Sequence, residues 1–208
     1  MCGIAGFSLF NFNEGGETSL EAMHKAIHHR GPDASGMYID EPIGLCHRRL
    51  SILDLSEAGN QPMYSKEGDL VIVFNGEIYN FLELQQELEQ QGARFNTRSD
   101  TEVIIRGYEA WGIDVIHRLR GMFAIALWDA DKERLVLVRD RVGKKPLYYT
   151  HQGESLLFAS EIKGILTWPN VDRIPDYEAI HQYLTYQYVP SPLTAFEGIY
   201  KLPPAHML

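Results

Sequence analysis

The sequence predicts an α+β fold in which sheets and helices occupy separate layers. Segments with strand character cluster at both ends of residues 1–160, and helical patterns lie between and after them. The chain contains neither an internal repeat nor a low-complexity stretch. Its 208 residues, 45% of them hydrophobic, are enough for one large domain with a sizeable core. We therefore expect stacked layers of sheet and helix rather than a βαβ repeat.

The first third of the chain alternates between strand and helix signals. Residues 4–10 are predicted to form a strand, which would place Cys2 at the entrance of a sheet. Thr18 and Glu21 have the spacing of a capping box, so a helix is predicted over residues 19–29. The break Arg30-Gly31-Pro32-Asp33 ends this helix. Further strands are predicted near residues 36–39, 43–53 and 70–75.

The later elements follow the same logic. Asn80 and Gly92 mark the start and end of a second helix, and Asp100 opens a third. Two apolar runs, 122–128 and 135–138, flank a polar hexapeptide, and this pattern predicts a β-hairpin. The remaining predicted elements are strands near 146–150 and 155–160 and a helix from Asp176 to Tyr188.

Composition and charge exclude several classes of protein. The net charge of -9 and the absence of a basic stripe argue against nucleic-acid binding. No basic N-terminal start precedes an apolar segment, and no apolar run approaches the ~20 residues of a membrane span, so neither a signal peptide nor a membrane partner is predicted. Cys2 and Cys46 alone form no disulfide framework, which favours a reducing, cytoplasmic compartment. Cys46 is expected to pack as a small apolar residue.

No metal site is predicted. His24 and His28 are four residues apart on the first predicted helix, a spacing that can hold a metal ion. Neither a third ligand nor a general-base carboxylate completes a known pattern around them. The charged stretch Arg139 to Pro146 lacks the helix start and the glycines that a phosphate cradle needs, and is predicted to be a turn between two strands.

Cys2 has two interpretations. As a small residue that opens a buried strand it would only pack. If an aminopeptidase removes Met1, however, Cys2 carries a thiol and a free amine on one carbon. The pKa of an α-amino group is about 7.7 to 8.0 and that of a Cys thiol about 8.5, so the amine can take the proton of the thiol near neutral pH. One residue would then be both nucleophile and base.

The sequence Asn75-Gly76-Glu77 directly follows the apolar strand 70–74. Asn-Gly is a strong hairpin signal, so a structural turn is one interpretation. The same turn would leave the Gly76 amide pointing outward beside the side-chain amide of Asn75. Those two donors could stabilise a developing oxyanion.

Arg48, Arg49 and Asp100 are ordinary surface or capping residues in one interpretation and a ligand clamp in the other. An arginine ahead of a strand usually faces solvent, but its guanidinium can also bind a carboxylate through two parallel hydrogen bonds. Asp100 could cap its helix or pair with an ammonium group. An arginine and an aspartate together would bind a free amino acid.

Seven motifs occur together in one order: Met1-Cys2-Gly3-Ile4-Ala5-Gly6, His29-Arg30-Gly31-Pro32-Asp33, Arg49-Leu50-Ser51-Ile52-Leu53-Asp54, Asn75-Gly76-Glu77-Ile78-Tyr79-Asn80, Ser99-Asp100-Thr101-Glu102, Gly121-Met122-Phe123-Ala124 and the run from Arg139 to Tyr148. Together they resemble the glutaminase domain of glutamine-hydrolysing asparagine synthetases, a class II glutamine amidotransferase domain. The resemblance runs from residue 1 to about 165 and continues through the proline-rich tail.

This resemblance implies an N-terminal-nucleophile hydrolase fold, a four-layer αββα sandwich of two antiparallel sheets between helix layers. It implies that Cys2 attacks the side-chain amide of glutamine, with its own amine as base. Arg49 would take the substrate carboxylate and Asp100 its ammonium, while Asn75 and the Gly76 amide form the oxyanion hole. The glutamine contacts that carry over are Arg49, Leu50, Ser51, Ile52, Leu53, Asn75, Gly76, Glu77 and Asp100.

The resemblance also implies a domain organisation. Residues 2–170 would be the glutaminase domain, and residues 171–208 a linker toward an ATP-dependent synthetase domain in cis or in trans. The Ser-Gly-Gly-x-Asp-Ser loop of that domain does not occur here, so ATP and magnesium are expected only for the missing part. L-glutamine is the expected substrate, and the ammonia would serve to convert aspartate to asparagine. A different acceptor, a catalytically silent regulatory module and a homodimer remain open alternatives.

Overall fold

The computed structural model describes residues 1–9, 15–51 and 56–208, and within these ranges it contains two antiparallel sheets. The strands are β1 (Gly3–Ser8), β2 (Ala34–Asp40), β3 (Ile43–Arg49), β4 (Met63–Tyr64), β5 (Leu70–Ile78), β6 (Gly121–Asp129), β7 (Arg134–Arg139), β8 (Tyr148–Gln152), β9 (Ser155–Ala159) and β10 (Ile199–Lys201). The six-stranded sheet has the order β10-β8-β9-β1-β3-β2 and the four-stranded sheet the order β4-β5-β6-β7.

Helices cover the outer faces of both sheets. They are α1 (Gly16–Ala26), α2 (Phe81–Gln90), α3 (Asp100–Trp111), α4 (Val115–Arg118), α5 (Ile162–Ile165) and α6 (Tyr177–Tyr186), with 3-10 turns at His28–Arg30, Glu57–Gly59 and Gly112–Asp114. None of the helices in the described ranges has the length and apolar character that crossing a bilayer requires.

Three apolar clusters define the layers. The first lies between the sheets and includes Ile4, Leu45 and Val73. The second joins the six-stranded sheet to α1 and α5, and the third joins the four-stranded sheet to α2 and α3. Three interfaces between four layers make an αββα sandwich, so the predicted α+β fold class is confirmed.

Burial on both faces explains the apolar run at 70–74. Val71 and Val73 face the other sheet, whereas Ile72 and Phe74 face the helical layer. A strand that alternates between two cores has no polar face, so its sequence is continuously hydrophobic. The other predicted strands and helices are found at or within a few residues of their expected positions. Residue 10 of the first predicted strand and residues 52–53 of the third lie outside the described residues.

The predicted capping box at Thr18 is wrong. Helix α1 begins at Gly16, and its N-cap is Gly15, which makes no side-chain capping bond. Gly15 has a φ of 133°, a conformation that glycine reaches without strain and that lets its carbonyl accept the Ser19 amide. At the third helix, Ser99 rather than Asp100 is the N-cap, and its hydroxyl accepts from the Thr101 amide.

The predicted turn at Asn75-Gly76 is also wrong. Strand β5 continues to Ile78, with Asn75 opposite Ala124 and Gly76 opposite Phe123 of β6. Glycine is required here by close packing: a Cβ on Gly76 would lie 2.3 Å from the Met122 carbonyl oxygen. An Asn-Gly pair therefore sits inside a strand because a second backbone approaches too closely for a side chain.

The segment after residue 171 packs along one side of the sandwich. Strand β10 adds to the edge of the six-stranded sheet next to β8. The chain then crosses to the other sheet, where Leu208 exchanges two backbone hydrogen bonds with Leu137 of β7. Helix α6 carries an exposed apolar face on which Tyr177 and Leu184 are each 75% exposed.

Candidate active site

A cavity of about 540 Å³, its open mouth included, lies at one end of the sandwich. Its walls come from both sheets, from the start of α3 and from the turn that follows β7. The lining residues are Met1, Cys2, Arg49, Leu50, Gly59, Gln61, Phe74, Asn75, Gly76, Glu77, Ser99, Asp100, Thr101 and Lys145.

The alternation of side chains along the strands brings the main candidates together. Leu45 of β3 and Val73 of β5 belong to the cluster between the sheets. Arg49 lies four residues after Leu45, and Asn75 lies two residues after Val73. Because alternate residues of a strand point to the same face, both side chains also point between the sheets, at the end of the sandwich. Cys2 lies two residues before Ile4, which faces the same gap. Three residues far apart in sequence therefore face one cavity.

Cys2 is half-buried and held by its neighbours. Its Sγ lies 3.4 Å from the Leu50 amide nitrogen and 3.6 Å from the Leu50 carbonyl oxygen. Its own carbonyl accepts a hydrogen bond from Arg30 Nε at 2.9 Å, and Arg30 is held in turn by Glu161 at 2.8 Å. The thiol therefore has a fixed place at the cavity wall.

Cys46 is the opposite case. It is fully buried between β3 and α1, and burial raises the pKa of its thiol to about 12. A thiol that stays protonated in an apolar core is inert. The prediction that Cys46 only packs is confirmed by its position in this core.

Asn75 presents an unpartnered donor. The residue is 1% exposed, and its Nδ2 is buried without a hydrogen-bond partner within the part of the chain that the structure describes. Such atoms are rare in folded proteins because leaving a buried donor unpaired costs free energy, about 1–3 kcal/mol. Because Asn75 also lines the cavity, its unpaired Nδ2 indicates that an atom of a bound ligand accepts this hydrogen bond.

The Gly76 amide faces the same cavity from the edge of β5. The amide of Phe74 donates to Gln61 Oε1 at 2.6 Å, and the amide of Ile78 donates to Asp100 Oδ2 at 2.9 Å. Both bonds point away from β6. Since alternate residues of a strand direct their N–H groups to the same side, the Gly76 N–H points there too. The oxyanion donor expected from a turn is thus supplied by a strand edge.

Arg49 and Asp100 lie on the walls of this cavity. Arg49 Nη1 donates to the Ser56 carbonyl at 2.8 Å and to Asn60 Oδ1 at 2.7 Å, which fixes the guanidinium. Burial raises the pKa of Asp100 to about 6, and the nearby Glu77 adds to this increase. A carboxylate that is costly to ionise is suited to a cationic partner, because the partner restores the lost solvation.

The cavity does not include every residue predicted to contact glutamine. Leu50 and Glu77 line it as expected. Ser51 is not among its walls, and the Ser51 amide donates to Asp33 Oδ2 at 2.8 Å. Ile52 and Leu53 lie outside the described residues.

Several residues of the cavity were not singled out from the sequence, notably Gln61, Thr101 and Lys145. Gln61 precedes a two-residue strand, and its position depends on the pairing of β4 with β5, which no local pattern reveals. Lys145 belongs to the turn after β7, and its Nζ lies 3.6 Å from Met1 Sδ. The sequence predicts only a structural turn at this position, so it gives no local signal for Lys145.

The turn from Arg139 to Pro146 binds its own carboxylate. Asp140 is completely buried and accepts the amides of Phe123, Val142, Lys144 and Lys145. The amides that could cradle a phosphate are therefore already occupied. The structural turn predicted from the sequence is what the chain forms here.

Two histidines, His24 and His47, are buried and hydrogen-bonded within the core. His24 Nε2 bonds to the His47 carbonyl, and His47 Nε2 donates to the Phe74 carbonyl, each at 3.1 Å. Burial lowers the pKa of His47 to about 3, so its ring is neutral. Across residues 1–9, 15–51 and 56–208 no cluster of three or more histidine, cysteine or acidic side chains could hold a metal ion.

The fold is that of the N-terminal-nucleophile hydrolases. Two solved structures share it: glutamine phosphoribosylpyrophosphate amidotransferase from B. subtilis, with a TM-score of 0.68 and 21% identity, and an allosteric regulatory enzyme of purine biosynthesis, with 0.67 and 20%. Each similarity covers 80% of this chain and 43% of the other. At these identities the similarity concerns the fold.

The chain belongs to the glutamine amidotransferase domain family, whose model matches residues 1–208. It is 42% identical to glutamine-hydrolysing asparagine synthetase 1 of Bacillus subtilis over 98% of this chain and 32% of that protein. A putative asparagine synthetase 2 of Methanocaldococcus jannaschii is 38% identical over 97% and 42%. The amidase chry2 of Gibberella zeae is 39% identical over 92% and 28%. The chain therefore spans about a third of the length of these relatives.

Proposed function

We propose that this chain hydrolyses L-glutamine to L-glutamate and ammonia through a thioester on Cys2. The observation that carries this proposal is the meeting of a thiol, an orphan amide donor and a strand-edge amide in one cavity, namely Cys2, Asn75 and Gly76. A nucleophile within reach of two donors is the arrangement that acyl transfer requires.

The reaction begins once Met1 has been removed. The free α-amine of Cys2 takes the proton of the thiol, and the thiolate attacks the side-chain carbonyl carbon of glutamine. The carbonyl electron pair moves to oxygen, where Asn75 Nδ2 and the Gly76 N–H stabilise the oxyanion. Collapse of this intermediate expels ammonia, which takes the proton from the ammonium group of Cys2, and leaves a thioester. Water then attacks the thioester, with the amine again as base, and releases glutamate.

The other end of glutamine would be held by Arg49 and Asp100. Arg49 takes the α-carboxylate and Asp100 the α-ammonium, so the substrate is fixed at a set distance from Cys2. Asparagine, one methylene shorter, would not bring its amide to the thiol. Fixing both ends also raises the effective concentration of the reacting groups.

Ammonia release from glutamine tests this proposal. Wild type should produce glutamate and ammonia in equal amounts, Cys2→Ala should produce neither above background, and Cys46→Ala, the matched loss of the inert thiol, should retain activity. Intact mass should show a chain shorter by one methionine. Equal release by wild type and Cys2→Ala would falsify the catalytic role of Cys2.

We further propose that residues 2–170 carry the glutaminase and that residues 171–208 lead to a synthetase domain, in cis or in trans, which uses the ammonia to convert aspartate to asparagine. The named asparagine synthetases among the relatives support this acceptor, while the relative named an amidase favours a second candidate with another acceptor. ATP and magnesium would belong to the synthetase domain, and the glutaminase half would need no cofactor. Two free thiols suit a cytoplasmic setting.

The apolar face of α6 supports a partner domain. Tyr177, Ile180, Tyr183 and Leu184 are exposed along it, and the helix contains one acidic residue, Glu178, and no lysine or arginine. Aromatic residues without charges are typical of the core of an interface. A Leu184→Glu change should leave ammonia release unchanged and weaken binding to an added synthetase domain. A sedimentation mass of twice the chain would instead assign this face to a homodimer.

A further inference from the structure

We propose that Gln61 is a positioning residue, whose side chain holds the edge of β5 so that the Gly76 N–H points at the reacting carbonyl. This inference rests on the proposed glutamine hydrolysis. Within the described residues, Gln61 forms hydrogen bonds with Phe74 and Thr101 and not with Cys2, so it would act through the backbone of β5.

The Gln61 side chain is buried and uses both ends of its amide. Its Oε1 accepts the Phe74 N–H at 2.6 Å, and its Nε2 donates to Thr101 Oγ1 at 3.2 Å. A backbone N–H only donates, so the atom facing Phe74 must be the oxygen. The orientation of the amide is therefore fixed, and the side chain joins β5 to the first turn of α3.

The edge of β5 needs such a support because its neighbouring strand is short. Strand β4 pairs only with Val71 and Ile72. Beyond that point no strand of residues 1–9, 15–51 or 56–208 lies beside the outward N–H groups of Phe74, Gly76 and Ile78. Gln61 takes the first of these groups and Asp100 takes the third.

Gly76 thus lies between two anchored residues. Glycine has the largest conformational freedom of any residue, so an unsupported peptide at this position could turn its N–H away from the cavity. A donor helps catalysis only if it already points at the place where negative charge develops. Anchoring Phe74 on one side and Ile78 on the other provides that orientation before substrate arrives.

The opposite end of the same strand supplies a matched control. Ser65 Oγ accepts the Leu70 N–H at 3.0 Å, on the same edge of β5, and Ser65 is buried like Gln61. Ser65→Ala and Gln61→Met each remove a side-chain acceptor from one outward amide of β5. Only the second change is next to Gly76.

Turnover of the purified chain should separate the two variants. Gln61→Met should lower kcat for glutamine by about 10- to 100-fold, less than the ~10²- to 10³-fold of losing an oxyanion donor outright, with KM changed less than about 3-fold. Ser65→Ala should keep kcat within about 2-fold of wild type at a similar loss of stability. Thr101→Val, which removes only the far anchor of Gln61, should lie between them and serves if Gln61→Met does not fold.

Alkylation of Cys2 by iodoacetamide shows whether the thiol itself has moved. This displacement forms no oxyanion, so Gln61→Met should react at the wild-type rate. Hydrogen exchange gives a measurement that does not depend on turnover: the Phe74 amide, which donates to Gln61 Oε1, should exchange faster in Gln61→Met than in Ser65→Ala.

A folded Gln61→Met variant with wild-type kcat overturns the inference, whatever the exchange rate at Phe74. So does a slower kcat that is matched by equally slow alkylation, because the defect would then lie at Cys2. Absence of glutamine hydrolysis in wild type would refute the proposed function instead, and the exchange rates would still decide whether Gln61 orders this edge.

Discussion

Two sets of amide N–H donors lie near the Cys2 cavity, and they differ in what they bind. In the turn from Arg139 to Pro146, the buried carboxylate of Asp140 accepts four amides of its own chain. At the edge of β5, the Gly76 amide faces the cavity, and Asn75 Nδ2 has no partner among the residues that the structure describes. Satisfied donors stabilise a fold, whereas buried unsatisfied donors cost free energy and are kept where a ligand completes them. The candidate active site is therefore distinguished by donors that remain free to bind a ligand, and not by the number of donors.

The largest expected effect is on stability and comes from Asp140. Asp140→Ala removes the acceptor of four amides, of which those of Phe123 and Lys145 are buried, so the free energy of unfolding should fall by about 3–5 kcal/mol. The kcat of the molecules that remain folded should stay within a few-fold of wild type. Urea denaturation and ammonia release on the same sample measure both quantities. If Asp140→Ala were as stable as wild type, the amides bound by Asp140 would not stabilise the fold, and they would not differ in this respect from the donors at the edge of β5.

The reverse result is expected for Asn75. Asn75→Ala removes a donor for which the described part of the chain offers no partner, so the free energy of unfolding should change by less than about 1 kcal/mol. Its kcat for glutamine should fall by ~10² to 10³, because the oxyanion loses one of its two donors. Steady-state kinetics and thermal unfolding check the prediction. A large loss of stability with normal kcat would show that Asn75, like the amides bound by Asp140, stabilises the fold and does not serve a ligand.

Asp100 connects stability and binding through pH. Its pKa of about 6 in the folded chain exceeds the ordinary 3.8, so the folded chain holds this proton more tightly than the unfolded chain does. The stability contributed by neutral Asp100 is present below pH about 4 and is lost as the pH rises to about 6.

Asp100→Asn should therefore stabilise the free chain at pH 7.5, by an amount on the order of 1–3 kcal/mol, and have no effect near pH 4. The same change should raise KM for glutamine at least about 10-fold, because the ammonium loses its counter-charge. In wild type, kcat/KM should decrease as the pH falls through about 6. Thermal unfolding across this pH range, with kinetics at pH 7.5, tests both. A lower Tm for Asp100→Asn at pH 7.5 would contradict the assignment.

The smallest effect is expected at Glu161. Its carboxylate holds Arg30, which donates to the Cys2 carbonyl, yet its side chain is 27% exposed and so partly screened by solvent. Glu161→Gln should lower kcat by a few-fold and stability by less than about 1 kcal/mol. Addition of salt should reduce the difference between the variant and wild type, and a salt-independent difference would argue against a charge effect.

The sequence was sufficient for the layers and for most of the candidate site. Alternating apolar residues predict strands locally, and the order of the motifs predicts the fold. Gln61 could not be foreseen, because its role depends on where β4 stops beside β5, a property of pairing between distant segments. The turn expected at Asn75-Gly76 was wrong for the same reason: β6 runs alongside this pair, and no local pattern reports that. The cavity brings most of the predicted residues together, but the catalytic and binding roles of all of them, Ser51, Ile52 and Leu53 included, stay predictions.

The path of the last ten residues has a consequence for how the chain avoids aggregation. Strand β10 covers the edge of β8, and Leu208 covers the edge of β7, so one short segment closes a free edge on each sheet. A chain cut at residue 170 would expose both edges, and unpaired edges are templates for pairing with other chains. Such a shortened protein should form intermolecular β-structure on storage, with Cys2 and its cavity intact at first.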